Sequence, residues 1–256
     1  IQTKILMDKY IQDICEVIRS GEMENTYKMV WIRSIVETCV LEPSIKTIHF
    51  DKLSTKIFGY YWNQTIFFDL EQSPNPKKRP EIYQIVFNEI KNYRSRFGFQ
   101  PKWFSRVENQ LEIPVKKISS VLTKDVCWRF PKVGNKTYNL YELNKQNRTV
   151  TLQYPEKLHE YSRILFDLIN YRWSQKLEEF NHSPRISKKV RGTDRETIKR
   201  TSLNKFKKYL DIENPNHTCF YTGQRIDDKN LSIDHVIPWS YLFSDDLWNL
   251  VYVDRS

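Results

Sequence analysis

Four residues close to the C-terminus have the types and spacing of a hydrolytic site. Asp234 and His235 are adjacent, Pro238 follows three residues later, and Asn249 lies eleven residues after the proline. Histidine titrates near neutral pH and can serve as a general base, whereas a carboxylate is an oxygen ligand for hard divalent cations. This combination predicts metal-assisted hydrolysis.

The local sequence predicts that a β-hairpin positions these residues. LSIDHVIP has the alternation of a strand, which places Leu231 and Ile233, with His235, on one face and Asp234 on the other. A local bulge is the alternative, and it would bring Asp234 and His235 together. NLVYV predicts the second strand, and the intervening WSYLFSDDLW predicts a loop of roughly ten residues.

The predicted loop contains two carboxylates and two tryptophans. Asp245 and Asp246 are either further metal ligands or loop and capping residues, and we favour the second assignment. Trp239 and Trp248 flank the loop, so we expect them to be its hydrophobic support.

The segments CFYTG, IDHVIPWS and DDLWNLV occur in this order between Cys219 and Val253. Their order and spacing resemble the HNH endonucleases, also called ββα-metal nucleases. The resemblance implies that His235 is the general base that deprotonates water, and that Asp234 is a ligand for Mg²⁺ or Mn²⁺. It also implies that Asn249 ties the loop to the hairpin and so holds the histidine in place.

Two features depart from the family pattern. Many relatives carry two CxxC pairs that bind zinc, but Thr222 stands three residues after Cys219, so we expect no structural zinc. The family's third motif is an Asn or His on a helix after the second strand, and the sequence ends at Ser256 before such a helix. We therefore expect either a piece of a longer nuclease, which we favour, or a degenerate module. In both cases this form would be impaired in cleavage.

The charge distribution predicts a nucleic-acid partner. The net charge is +10, with +8 in residues 181–210 and −5 in residues 211–256. Cations that neutralise phosphates release condensed counterions and gain affinity. We divide the chain into a mainly helical DNA- or partner-binding region (1–180), a basic connector (181–210) and an incomplete HNH module (211–256). The connector is predicted to be a loop through Gly192 followed by a helix from about Asp194 to Leu210.

A second basic segment, KNYRSRFGFQPKWFSR, contains no acidic residue and interleaves cations with aromatic side chains. It could hold phosphates by charge and bases by stacking, or its aromatic residues could belong to the core. The cations assigned to nucleic-acid binding are Arg94, Arg96 and Lys102 here, and Arg185, Lys188, Lys189, Arg191, Lys199, Arg200, Lys205, Lys207 and Lys208 in the connector.

Hydrophobic periodicity predicts a mainly helical N-terminal region with a β-hairpin. The resemblance implies that a C-terminal ββα-metal module lacking its final helix follows it, so the expected fold class is α+β. The predicted elements before the module are two amphipathic helices separated at Gly21, a helix from about Glu81 to Tyr93, a hairpin turning near Asn144 to Asn147, and a helix from Glu156 to Phe180.

Together these features predict a metal-dependent DNA endonuclease, with RNA a less favoured substrate. The helical segments before the module resemble the HNH proteins of bacterial restriction and phage defence. We expect a cytoplasmic protein without membrane contact, because the four cysteines are isolated and no apolar run reaches membrane-spanning length. A protein partner or a homodimer is a further expectation. The alternative is a non-catalytic nucleic-acid- or partner-binding protein that retains a degenerate hairpin.

Overall fold

The computed structural model describes residues 8–194 and 200–255. Its α-helices are α1 (Lys9–Ser20), α2 (Tyr27–Leu41), α3 (Phe50–Phe68), α4 (Glu81–Phe97), α5 (Phe104–Val107), α6 (Val115–Val121), α7 (Pro155–Glu160), α8 (Ser162–Phe180), α9 (Ile186–Asp194), α10 (Lys207–Glu213) and α11 (Trp239–Leu242). Its strands are β1 (Thr47–His49), β2 (Lys132–Val133), β3 (Lys136–Thr137), β4 (Tyr141–Asn144), β5 (Thr149–Leu152), β6 (Leu231–His235) and β7 (Leu250–Asp254). The predicted α+β class is confirmed.

The first two helices are separated at Gly21, as predicted, but only α1 is amphipathic. Asp8 begins α1 by accepting a hydrogen bond from the backbone N–H of Tyr10 at 2.9 Å. In α2 the buried side chains surround the helix, and polar Arg33 and Ser34 are buried among them. The prediction of an amphipathic α2 is wrong because this helix lies inside the core, in contact with α3, α7 and α8.

The predicted hairpin is formed by β4 and β5, and β1 extends it to a three-stranded antiparallel sheet. Tyr141 pairs with Leu152 on one side of β5, and Thr47 pairs with Thr151 on the other. The sequence did not predict β1, which is only three residues long. The helix predicted from Glu156 to Phe180 is divided into α7 and α8 at Tyr161.

The prediction for the connector is wrong around Gly192 and Asp194, whereas residues 195–199 of the predicted helix lie outside the described residues and its last residues, from Lys207, are helical in α10. Gly192 lies within α9 rather than in a loop, and Asp194 ends that helix rather than beginning one. Ile186 and Val190 stabilise α9 because these side chains, one helical turn apart, are both buried in the main core. After residue 200, a 3-10 helix at Leu203–Phe206 leads directly into α10.

The buried hydrophobic residues form two clusters. The large cluster extends from α1 through α9, and Trp239 of α11 also belongs to it. The small cluster contains Leu210, Cys219, Ile226, Leu250 and Tyr252. Side chains from residues 203–210 of the connector thus contribute to the core under the C-terminal hairpin. Across the described ranges, no helix has the length and apolarity needed to span a membrane.

Candidate active site

The C-terminal hairpin consists of β6 and β7, as the sequence predicts. The two strands pair in continuous antiparallel register, with Asp234 opposite Val251 and His235 opposite Leu250. Leu231 packs against the small core cluster, whereas Asp234 is exposed. The regular ladder corresponds to alternation rather than to the alternative bulge.

The segment between the strands contains more structure than the predicted loop. Pro238 precedes α11, and a 3-10 turn at Leu247–Asn249 leads into β7. Trp239 is buried, as expected of a loop support, and its ring lies 4.8 Å from that of Phe243. Trp248 is 68% exposed, so the prediction that it supports the loop is wrong.

His235 is held in a nearly buried position by the loop. Its Nε2 lies 3.1 Å from Oδ1 of Asp245, and the side chains are only 10% and 17% exposed. The other carboxylate oxygen of Asp245 accepts a hydrogen bond from the hydroxyl of Thr201 at 2.7 Å. The histidine is therefore connected through Asp245 to the connector.

Asn249 is fully buried and joins the two ends of the loop. Its Oδ1 accepts a hydrogen bond from the backbone N–H of Ile237 at 2.7 Å, and its Nδ2 donates one to the carbonyl of Ile237 at 2.8 Å. The backbone N–H of Val236 donates to the carbonyl of Asn249 at 3.0 Å. These contacts fix the backbone directly after His235.

Asp234 has the position and chemistry to contribute one ligand to a divalent cation. One of its oxygens accepts a hydrogen bond from the backbone N–H of His235 at 2.8 Å, and the side chain is exposed. In the part of the chain that the structure describes, no three His, Cys, Asp or Glu residues are grouped as a metal site. One exposed carboxylate fits Mg²⁺, which commonly retains several waters and binds one or two carboxylates together with substrate phosphates.

Cys219 lies beneath the hairpin and has an unusual thiol. Its pKa is lowered to about 7, mainly by a hydrogen bond from the hydroxyl of Thr222, with further lowering from backbone N–H groups including that of Asp254. Thr222, which stands where a CxxC pair would have its second cysteine, thus contacts the first one.

The segment between β6 and β7, residues 236–249, is called the active-site loop, and it packs against the large core cluster. The ring of Phe243 lies 5.1 Å from that of Phe68 on α3, and Phe243 adopts a left-handed backbone conformation with φ of 53°. The hydroxyl of Tyr241 donates to the carbonyl of His182 at 2.6 Å. These contacts join the loop to the end of α8 and to the core of α3.

Lys189 is buried under this loop, so its assignment to nucleic-acid binding is wrong for this structure. Its ammonium donates hydrogen bonds to the carbonyl of Tyr241 and to the hydroxyl of Ser183, and it lies 5.7 Å from the ring of Phe68. Burial lowers the pKa of Lys189 to about 8, because desolvation disfavours the charged form.

Most of the other cations assigned to nucleic-acid binding are on the surface. Arg94 is half-buried, and Lys199 lies outside the described residues. Two connector arginines also contact the active-site loop: Arg185 lies 3.5 Å from Asp246, and Arg200 lies over the ring of Trp239. The exposed members of the set are Arg96, Lys102, Arg185, Lys188, Arg191, Arg200, Lys205, Lys207 and Lys208.

The aromatic residues of the earlier basic segment divide between core and surface. Tyr93 is buried and Trp103 is half-buried, whereas Phe97 is 46% and Phe99 is 82% exposed. Gly98 between the two phenylalanines ends α4 with φ of 87°, a conformation that suits glycine. The core alternative therefore holds for Tyr93, and base stacking stays a prediction for Phe97 and Phe99.

Ring contacts connect this basic segment to the active-site loop. The ring of Trp103 lies 4.5 Å from the ring of Phe67, and the rings of Phe67 and Phe68 lie 6.3 Å apart. Phe68 in turn contacts Phe243. Trp103 is thus linked to the loop through two rings of α3, whereas the connector contacts the same loop directly through Arg185 and Arg200.

Comparison with known proteins identifies the hairpin. Residues 219–256 match the family model described as HNH endonuclease. This C-terminal segment therefore belongs to the HNH endonuclease family, which confirms the resemblance inferred from the sequence and indicates nuclease activity. No curated protein and no solved structure matched the chain.

Sequence reasoning missed the contacts that join the hairpin to the rest of the chain. The hydrogen bond between Thr201 and Asp245 spans 44 positions, and that between Lys189 and Tyr241 spans 52. No spacing rule relates residues so far apart. Aromatic residues at Trp239 and Phe243, four positions apart, were the available signal that one face of the loop packs against the body.

Proposed function

We propose that the chain is a metal-dependent HNH endonuclease that hydrolyses the phosphodiester bonds of DNA. The observation that carries this proposal is that His235, which contacts Asp245 at 3.1 Å, directly follows the exposed Asp234 in the sequence at the end of β6, within the segment that matches the family. A general base and a cation ligand are the two groups that metal-assisted hydrolysis of a phosphodiester uses.

In this mechanism His235 takes a proton from the water molecule that attacks the scissile phosphate. Asp234 would hold Mg²⁺ or Mn²⁺, which when bound supplies positive charge to the phosphate and to the departing 3′ oxygen. Asn249 acts as a positioning residue, because its two hydrogen bonds to Ile237 hold the chain that follows the histidine.

The exposed cations of the connector and of the segment around Arg96 form the proposed DNA-binding surface. Contacts to phosphates would hold the backbone without reading the sequence. Phe97 and Phe99 add two exposed rings beside Arg96, on which unpaired bases could stack. Lys189 is excluded from this surface because it is buried.

The finer assignments belong to the same proposal. Residues 211–256 would be a ββα-metal module, residues 181–210 a basic connector, and residues 1–180 the region that selects DNA or a partner. A role in bacterial restriction or phage defence rests on the resemblance of the helical segments that precede the module.

Plasmid nicking in the presence of Mg²⁺ or Mn²⁺ tests the proposal. The chain would be compared with the same chain extended by any natural residues that follow Ser256, each with and without a chelator. His235→Ala should abolish nicking while preserving DNA binding. The matched control is His159→Ala, because His159 is an exposed histidine outside the module.

Chelator-sensitive nicking that disappears only in His235→Ala would support the endonuclease. Equal nicking by the unaltered chain and His235→Ala would contradict it. Silence from every form on DNA and RNA, combined with retained DNA binding, would instead support the non-catalytic alternative.

A further inference from the structure

We infer that Thr201 and Asp245 are positioning residues for His235, so that the connector completes a site whose recognised residues begin at position 219. This inference rests on the proposed function. It assigns roles to two side chains that carry no part of the mechanism described above.

The contacts form a continuous line from the connector to the histidine. The hydroxyl of Thr201 donates to Oδ2 of Asp245 at 2.7 Å, and Oδ1 of Asp245 lies 3.1 Å from Nε2 of His235. The last contact is shielded from water, since the two side chains are only 10% and 17% exposed. Shielding strengthens a hydrogen bond between charged or polar groups.

The chemistry of the two groups determines which ring nitrogen accepts a proton. An ionised carboxylate can only accept hydrogen bonds, so Asp245 selects the tautomer of His235 that carries its proton on Nε2. Nδ1 is then the nitrogen with the free lone pair. His235 would therefore accept the proton of water at Nδ1, while Asp245 holds the ring in orientation.

The same contacts argue against Asp245 as a metal ligand. Its two oxygens are engaged by different partners, Oδ2 by Thr201 and Oδ1 by His235. The neighbouring Asp246 also has partners, accepting a hydrogen bond from Ser244 at 2.6 Å and lying 3.5 Å from Arg185. Of the loop's two carboxylates, Asp245 alone faces the histidine in these contacts.

Arg200, the residue before Thr201, makes a second contact between the connector and the loop. The guanidinium of Arg200 lies 5.2 Å from the centre of the Trp239 ring, and Trp239 is buried against Phe243. Arg200 and Thr201 thus contact the two halves of the loop. The connector is therefore held against the loop by the packing of Arg200 on Trp239 as well as by the hydroxyl group of Thr201.

Three variants separate the roles of these side chains. Asp245→Ala removes the acceptor, Thr201→Val removes the hydroxyl at similar volume, and Thr201→Ser retains it. Removing a hydrogen-bond partner that orients a functional histidine commonly lowers activity roughly 10- to 100-fold. We expect Asp245→Ala to lower kcat by about that factor with KM unchanged, Thr201→Val to lower it less, and Thr201→Ser to restore most of the loss.

The position of the ring proton provides a readout that does not depend on cleavage. In protein labelled with ¹⁵N-histidine, long-range ¹⁵N–¹H correlation distinguishes the two tautomers, and His235→Ala identifies the signal among the five histidines. We expect the Nε2–H tautomer in the unaltered chain and a mixture of tautomers in Asp245→Ala. Asp51→Ala, at an exposed position on α3, is the matched control.

A proton on Nδ1 in the unaltered chain would overturn the inference, as would tautomers that Asp245→Ala leaves unchanged. Equal loss of kcat in Thr201→Val and Thr201→Ser would overturn the role of the hydroxyl. Absence of cleavage by both the unaltered chain and its extended form would instead refute the proposed function, and the ring proton would still support or overturn the Asp245 contact.

Discussion

The side-chain amide of Asn249 and the backbone of Ile237 form two hydrogen bonds, one in each direction, at 2.7 and 2.8 Å. This pair closes the loop between the strands of the hairpin two residues after His235. Because the amide is fully buried, neither bond competes with solvent water. The position of the histidine therefore depends on a residue that comes from the far end of the loop.

Replacing Asn249 tests this dependence. We expect Asn249→Ala to lower kcat for nicking at least tenfold and to reduce the free energy of unfolding by about 1–3 kcal/mol, because two backbone groups of the half-buried Ile237 lose their partners. DNA affinity should remain within about twofold, since phosphate contacts supply most of the binding energy. Nicking assays, DNA titration and urea unfolding measure the three quantities. Unchanged kcat would contradict the positioning role.

The buried ammonium of Lys189 predicts a dependence of stability on alkaline pH. Its pKa is lowered from 10.5 to about 8 in the folded chain. Between these values the unfolded chain binds a proton that the folded chain does not, so this group makes the free energy of unfolding rise with pH. Below about pH 8 both states are protonated and the contribution is constant.

Chemical denaturation from pH 7 to pH 11, compared with Lys189→Met, measures this contribution. We expect the difference between the two proteins to change through the window between the two pKa values and to be flat below it. A difference that is constant throughout would show that Lys189 titrates normally. Lys188→Met is the matched control, because that side chain is exposed on the same helix.

Phe99 is predicted to contact unpaired bases. Stacking on an aromatic side chain contributes roughly 1–3 kcal/mol per base. We therefore expect Phe99→Ala to weaken binding of single-stranded DNA at least fivefold and to affect duplex DNA less. Fluorescence anisotropy with matched single- and double-stranded probes measures both. Ile164→Ala serves as a control, since Ile164 is an exposed apolar residue on α8. Equal affinities for Phe99→Ala and the unaltered chain would remove Phe99 from the proposed surface.

Charge reversal in the connector tests the electrostatic part of DNA binding. Lys188 and Arg191 are exposed on α9, and each phosphate contact contributes about 0.9 to the slope of log affinity against log salt concentration. We expect Lys188→Glu with Arg191→Glu to weaken binding on all sequences and to reduce that slope by nearly two. Lys77→Glu with Lys78→Glu makes the same charge change outside the proposed surface. The same slope in both double variants would exclude α9 from the interface.

Local patterns predicted the hairpin well and the connector poorly, for one physical reason. In β6 and β7 the alternation of side chains is a short-range property, so the sequences of residues 231–235 and 250–254 show it directly. In α9 the decisive interaction is the burial of Ile186 and Val190 against helices formed by distant segments. Gly192 resembled a helix break, but packing stabilised the helix through it.

By itself the sequence determined the family of the C-terminal segment, the residues of its hairpin and the basic character of the chain. These properties depend on residue types and on spacings of a few positions. Only the tertiary structure decided that Lys189 is buried while Lys188 is exposed, that Phe99 is exposed while Tyr93 is buried, and that Asp245 faces His235. Burial and hydrogen bonding depend on which element, distant in the sequence, packs over a side chain. The residues next to that side chain in the sequence do not determine this packing.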